Sequence, residues 1–297
     1  MLCFISPSIL ISVLCLSLLA SARNHFSFDA VKHLVTFGDS YTTQYLDVST
    51  LQYGCTNCTS AGGPNWVEYF SWSINITYWN LAYNSAPVSN AIVGQQGSSV
   101  IDVTQQVSEL FPQYIKKAAK FLDSANGSNT LYTVWVGIND IDLTYDWNAT
   151  SALDQRIMQQ YAQLMNDLHM HGASQFLFFS VPPIDRSPMW QNHGPSTANV
   201  IKSRVQDFNK KMKMMARTFQ NTNDGKYFYF DVWSVFTELL DNPSRYGFQN
   251  VDSYCGDSNR NGSCLPEDEY FWHNDLHPTS KVHEYVAKEL VRYLQYQ

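Results

Sequence analysis

Charged side chains are scarce, at 15% of the 297 residues, and the positive ones are in the minority: 19 Lys and Arg against 26 Asp and Glu. The resulting net charge of −7 argues against a nucleic-acid partner, because phosphate binding needs a basic face. The one basic cluster, Lys210, Lys211, Lys213 and Arg217, lies in a helical stretch and reads as a solvated face. Internal repeats, low-complexity tracts and flexible linkers are missing, which leaves one domain rather than several. Beyond residue 22, no segment approaches the uninterrupted apolar length that a membrane helix needs. The 44% hydrophobic content belongs to an ordinary globular chain and excludes a disordered tail or a fibre.

The start of the chain is different. Met1 to Ala22 holds no charged side chain, and Ile9 to Ala20 is apolar apart from two Ser residues. That run is too short to cross a bilayer comfortably, and Ala20-Ser21-Ala22 has the small-x-small form of a cleavage site. A secretory signal peptide over 1–22 is expected, with one domain over 23–297. An uncleaved anchor is the alternative, since the n-region lacks Lys and Arg. Cysteine usage agrees with export. Cys55, Cys58, Cys255 and Cys264 remain after cleavage, in two local pairs, and Cys55–Cys58 with Cys255–Cys264 is the economical pairing. Five Asn-x-Ser/Thr sequons, at Asn57, Asn75, Asn126, Asn148 and Asn261, suit surface glycosylation of a secreted chain.

Periodicity alternates between two kinds along the sequence. Short apolar or β-branched runs at His33–Phe37, Tyr78–Ala82, Thr130–Val136, Gln175–Val181 and Lys226–Phe230 read as strands. Between and after them, Trp66–Trp72, Val103–Leu122, Ser151–His171, Thr197–Gln220 and Lys281–Tyr296 read as helices, with Pro112 a kink and Gly172 a C-cap. Alternation of this kind predicts an α/β fold, a three-layer α/β/α sandwich on a mainly parallel sheet. Ligands in such sheets bind at the carboxyl ends of the strands.

Three short motifs sit at those ends. Gly38-Asp39-Ser40 follows the first strand, and a Ser at such a turn can present its hydroxyl to a crevice. Gly137-Ile138-Asn139-Asp140 follows the third; an Asn there can aim an amide N–H at a developing oxyanion, or simply form an Asx turn. Asn274-Asp275-Leu276-His277-Pro278 precedes the last helix, and His is the side chain best suited to general base work near neutral pH. Pro278 pushes His277 toward extended backbone, in which residues i and i+2 share a face. Asp275 is therefore expected beside His277, with Leu276 turned to the core. The same extended reading denies His273 and His277 the common helix face of a metal pair, and His283 reads as a surface helix residue.

Val35-Thr36-Phe37-Gly38-Asp39-Ser40-Tyr41 resembles the first block of the GDSL, or SGNH, hydrolases; Gly137-Ile138-Asn139-Asp140 resembles the third, and His277-Pro278-Thr279 the fifth. Val181-Pro182-Pro183-Ile184-Asp185-Arg186 is similar to a stretch of secreted fungal members, in particular the acetylesterases of carbohydrate esterase family 16. The resemblance runs from about His33 to the C-terminus. It implies hydrolysis of small acyl esters with neither a metal nor another cofactor, Ser40 as nucleophile and His277 as base. It also implies oxyanion donors from the Ser40 N–H, Asn139 and the second block, placed at Asn80 to Ala86. Two positions depart from the pattern. Ser85 stands where the family has Gly as oxyanion residue, and Asn274 stands where it has Asp, three residues before His. Asp275 is the expected replacement for the acid, and a dyad of His277 with a backbone carbonyl is the alternative. The expected protein is a secreted, monomeric serine esterase acting on acetyl esters of hemicellulose-derived saccharides, its activity falling below about pH 6 as the imidazole protonates. A lipase or general carboxylesterase would use the same residues, and a non-catalytic sugar-binding protein would keep only the fold.

Overall fold

A computed structural model describes residues 26–117, 127–256 and 264–297. The expected signal segment and the sequons at Asn126 and Asn261 lie outside the described residues; Asn57, Asn75 and Asn148 are exposed. Five strands, β1 (His33–Gly38), β4 (Thr77–Asn80), β5 (Thr130–Trp135), β6 (Gln175–Phe179) and β7 (Lys226–Phe230), form one sheet in the order β4-β1-β5-β6-β7. Every pairing in it is parallel. A separate two-stranded antiparallel ribbon joins β2 (Leu46–Asp47) to β3 (Gln52–Tyr53).

The central strands are buried along nearly their whole length, β6 without exception, as strands covered by helices on both faces must be. The chain moves from β1 to β4 on one side and then to β5 on the other. The sheet therefore reverses its winding at β1, and the carboxyl ends of β4, β1 and β5 open on one crevice.

The helices are α1 (Trp66–Ile74), α2 (Val103–Gln105), α3 (Phe111–Lys117), α4 (Ile138–Asp142), α5 (Thr150–Met170), α6 (Pro188–Asn192), α7 (Pro195–Thr222), α8 (Val232–Asp241) and α9 (Ser280–Gln295). They cover both sides of the sheet, with α1 packed on α9 and α5 on α7. The predicted helix at Val103 is interrupted by a π turn, Gln106–Leu110, that ends two residues before Pro112. Proline has no N–H to donate to the residue four before it, so the ladder changes register there. Lys210, Lys213 and Arg217 are exposed on α7, whereas Lys211 is half-buried and pairs with Asp207 one turn earlier. His283 corrects its prediction: it is 2% exposed, on the inner face of α9 against Tyr41 and Trp135. Both disulfides are present, Cys55–Cys58 and Cys255–Cys264.

A buried ion pair sets where α4 lies. Arg204 of α7 donates to the Asp154 carboxylate of α5 at 2.8 Å and to the carbonyl of Thr144, just past α4, at 2.9 Å. Both side chains are buried, and burial lifts the Asp154 pKa even against the pull of the guanidinium. Removing one partner strands a charge in the interior. Asp154→Ala is expected to lower stability by about 3–5 kcal/mol, read by urea denaturation at neutral pH.

Candidate active site

Ser40 enters the crevice on a turn that its neighbours lock from several sides. β1 ends at Gly38, whose φ is +143°; a Cβ there would lie 2.1 Å from the Trp135 carbonyl oxygen. Asp39 is buried, accepts the Tyr41 N–H on Oδ1 at 3.0 Å, and its own carbonyl accepts from Thr42 and Thr43. Burial pushes the Asp39 carboxyl up to about 7. Asn65 and Glu68 form a capping box at the start of α1, and the Asn65 amide donates to the Thr42 and Thr43 carbonyls. A helix N-terminus therefore holds the turn just past Ser40.

His277 comes from the tip of a short loop. Trp272 and Pro278 bridge as antiparallel partners, Thr279 N–H donates to the Phe271 carbonyl at 2.8 Å, and His273 N–H donates to the His277 carbonyl at 2.8 Å. Inside the tip, Asn274 Oδ1 accepts from Leu276 N–H at 3.0 Å and His277 N–H at 2.8 Å, and lies 3.0 Å from His277 Nδ1. On the far side of the ring, His277 Nε2 lies 2.7 Å from Ser40 Oγ. Tyr41 packs beside the imidazole at 5.5 Å between ring centroids and donates its hydroxyl to the Leu276 carbonyl at 2.6 Å.

The expectation for Asp275 is corrected. Its side chain is exposed and makes no hydrogen bond to His277; Asn274 occupies the position on Nδ1. The Asx turn made by Asn274 curls the segment, so the alternation of an extended strand does not apply and the residue three before His277 faces its ring. His273 pairs with Glu267, away from Nε2. No cluster of three or more metal-ligating side chains occurs among the described residues.

The amide at position 274 has a determined orientation. Two backbone N–H groups point at it, and only its oxygen can accept from them. His277 Nδ1 must then carry the proton, and Nε2 is left free to accept the Ser40 hydroxyl proton. Burial pushes the His277 pKa down to about 4, with His273 adding to the shift, and no carboxylate stands at Nδ1 to raise it.

The remaining motif residues meet at the same crevice. Ser85 lies in the loop after β4 with φ +64°, the backbone region that favours glycine, and is exposed. Among the described residues, neither the Ser85 N–H nor the Ser40 N–H has a protein acceptor. Asn139 sits on α4 and donates one amide hydrogen to the Ala86 carbonyl at 3.1 Å, which keeps its second free. Asp140 is fully buried, and its carboxylate accepts the Val88 N–H; burial raises its pKa to about 8. Tyr83 N–H donates to the Gly38 carbonyl at 3.1 Å. The loop after β4 is thus tied both to the turn that bears Ser40 and to the helix that bears Asn139. An array of this kind can pass a proton from a hydroxyl to an imidazole and receive a developing negative charge on several N–H groups.

Asn274→Asp is expected to raise the His277 pKa, because a carboxylate at Nδ1 favours the imidazolium. Titration of the His277 Cε1–H NMR signal checks it: a midpoint near pH 4 in the wild type, moving upward in the variant.

The GDSL-like lipase/acylhydrolase family profile matches residues 34–290. An acetylesterase from Thermothelomyces thermophilus is 31% identical over 277 residues, which cover 87% of this chain and 87% of that protein. An acetylesterase from Hypocrea jecorina is 22% identical across 94% of this chain and 95% of its own length. An acetylxylan esterase from Geobacillus stearothermophilus, known in crystal form, superposes with a TM-score of 0.50 at 12% identity, over 90% of this chain and 95% of that one, and shows the same fold. With its parallel sheet and this match along most of its length, the chain belongs to the GDSL-like lipase/acylhydrolase family and is an esterase.

Proposed function

We propose that this esterase is a secreted serine acetylesterase that removes acetyl groups from hemicellulose-derived saccharides. The 2.7 Å contact between Ser40 Oγ and His277 Nε2 carries the reading of a serine mechanism. Acetyl as the acyl group draws on the acetylesterase that is 31% identical along most of the chain. Export draws on the residue 1–22 signal pattern, the two disulfides and the exposed sequons at Asn57, Asn75 and Asn148. A sugar hydroxyl as the leaving alcohol fits a secreted enzyme of this kind.

In the mechanism, His277 Nε2 takes the proton from Ser40 Oγ as the oxygen attacks the ester carbonyl carbon. The carbonyl π electrons move to oxygen, where the Ser40 N–H, the Ser85 N–H and the free Asn139 amide hydrogen receive the charge. One such donor lowers the barrier by roughly 3–4 kcal/mol. The tetrahedral species collapses, and imidazolium returns its proton to the departing alcohol. Water then repeats the sequence on the acyl-enzyme and releases acetate. Ser85 keeps the donor because the main-chain N–H does not depend on the side chain, and its left-handed backbone is the one a glycine would adopt.

Asn274 changes the balance of this mechanism without stopping it. In serine proteases an Asn in place of the triad Asp drops turnover about 10⁴-fold, with the wrong imidazole tautomer given as the reason. Here two backbone N–H groups hold the amide oxygen toward the ring, so the productive tautomer is kept. What is lost is the charge that would stabilise imidazolium. The base is consequently weak, and it stays neutral to lower pH than an ordinary imidazole.

Ser40→Ala is expected to abolish acetate release from acetylated xylo-oligosaccharides; a variant that keeps most of the rate overturns the assignment. Asn139→Ala is expected to lower kcat by about 10²–10³-fold on the same substrate. Catalysis needs neutral His277, and burial corrects the limit near pH 6 expected of an ordinary imidazole: kcat/KM should hold as pH falls past 6 and decline only near the His277 pKa of about 4. A preference for long-chain over acetyl 4-nitrophenyl esters would favour a lipase instead.

A further inference from the structure

Gln106 is fully buried, and its side-chain amide makes three hydrogen bonds, all to main chain. Oε1 accepts the Gly38 N–H at 2.9 Å; Nε2 donates to the Gly38 carbonyl at 2.9 Å and to the Ile101 carbonyl at 3.1 Å. The reason lies in the sheet. β4 pairs with β1 only as far as Asn80 opposite Thr36; beyond it the chain still offers the Tyr83 N–H to the Gly38 carbonyl at 3.1 Å but gives the Gly38 N–H no acceptor. The Gln106 amide oxygen supplies the acceptor that a longer β4 would have supplied, and its N–H is a second donor to the carbonyl. Without it a buried N–H would go unpaired two residues before Ser40, at a cost comparable to a lost buried hydrogen bond.

The segment that carries Gln106 is itself fastened to the loop after β4. Asp102 caps α2 by accepting the Gln105 N–H at 2.8 Å, and it also accepts the Asn90 N–H at 2.6 Å. Val103 N–H and Thr104 N–H donate to the Pro87 and Val88 carbonyls at 3.0 and 3.1 Å. The π turn begins at Gln106, at the end of α2. One side chain thus bonds the strand end that leads to Ser40 from an element seated on the loop that carries Ser85 and Ala86.

We propose that Gln106 is a positioning residue for the hydrolysis: by clamping both the N–H and the carbonyl of Gly38, it fixes the Ser40 turn against the loop that presents Ser85 and holds Asn139. The inference rests on the reading of Ser40 as nucleophile. Donors that meet a transition state must be placed to within fractions of an ångström, and a shift of about 1 Å can cost about 10²-fold in rate.

Two variants test it with 4-nitrophenyl acetate. Gln106→Met keeps length and apolar volume but makes none of the three bonds; kcat should fall roughly 10–100-fold with KM changed by less than about twofold. Gln106→Glu gives a signature that loss of stability would not. A neutral carboxyl reproduces the acceptor and donor on Gly38, whereas a carboxylate has no hydrogen to give. Compared at each pH with the wild type, in which the buried Asp39 and Asp140 titrate near 7 and 8, its kcat should approach the wild-type value near about pH 5 and fall away from it toward about pH 8. The Glu variant also decides the matter if the Met variant does not fold. A Met variant with kcat within about twofold of wild type, or a Glu variant whose pH profile parallels the wild type, overturns the proposal. Ser40→Ala in the same assay separates the two readings. If it keeps its rate, the nucleophile assignment fails and the positioning role with it. If it is inactive while Gln106→Met is unimpaired, only the positioning role fails.

Discussion

Three N–H groups converge on the side-chain oxygen of Asn274, two from the main chain and one from the His277 ring. The main-chain pair curls residues 274–277 into a turn and leaves the amide one orientation. That orientation determines which imidazole nitrogen carries the proton, and hence which can accept from Ser40. Local backbone hydrogen bonding thus does part of the work that a carboxylate does elsewhere, namely orientation, and leaves the other part, charge stabilisation, undone. A buried imidazole with an amide partner is a weak base that resists protonation, and the chemistry proposed at Ser40 follows from that.

The sheet supplies the second constraint. Reversal of the winding at β1 opens a crevice into which the ends of β4, β1 and β5 all feed, so the loops after them need only short departures to meet. What keeps them in register is a set of polar side chains, all buried except the half-buried Asn139, that bond to main chain: Asn65 to Thr42 and Thr43, Asp140 to Val88, Asn139 to Ala86, and Gln106 to Gly38. Each closes a strand end or loop whose backbone groups have run out of ladder partners, and an unpaired group there would be costly. These side chains make the crevice rigid where apolar packing alone would leave the loops free to slide.

Much of this was legible beforehand, because it depends on local patterns. The five strands of the sheet and the long helices follow from period-2 and period-3.6 runs, and Ser40, Asn139 and His277 stand out as polar residues placed directly after strands or before a helix. Asp275 departs from its expected place for a specific reason. Alternation of faces holds only while a segment stays extended, and Asn274 is the residue type that bends a chain by bonding its own downstream N–H groups. An Asn three residues before His was the available signal. His283 is buried, against expectation, because α9 has a neighbour on its inner face, Tyr41, from the opposite end of the chain. Gln106 offered no signal, since a polar residue in a helical run looks solvated until its long-range partner is known.

The order of residues therefore settled the α/β class and the family and singled out the candidate side chains Ser40, Asn139 and His277, since those follow from neighbours a few positions apart. Folding in three dimensions settled the partnerships. Ser40 and His277 are 237 residues apart, and only closure of the sheet and docking of α9 bring them within hydrogen-bonding distance. Whether a polar side chain points at solvent, at an orphaned peptide or at an imidazole is decided by those non-local contacts, which no periodicity encodes.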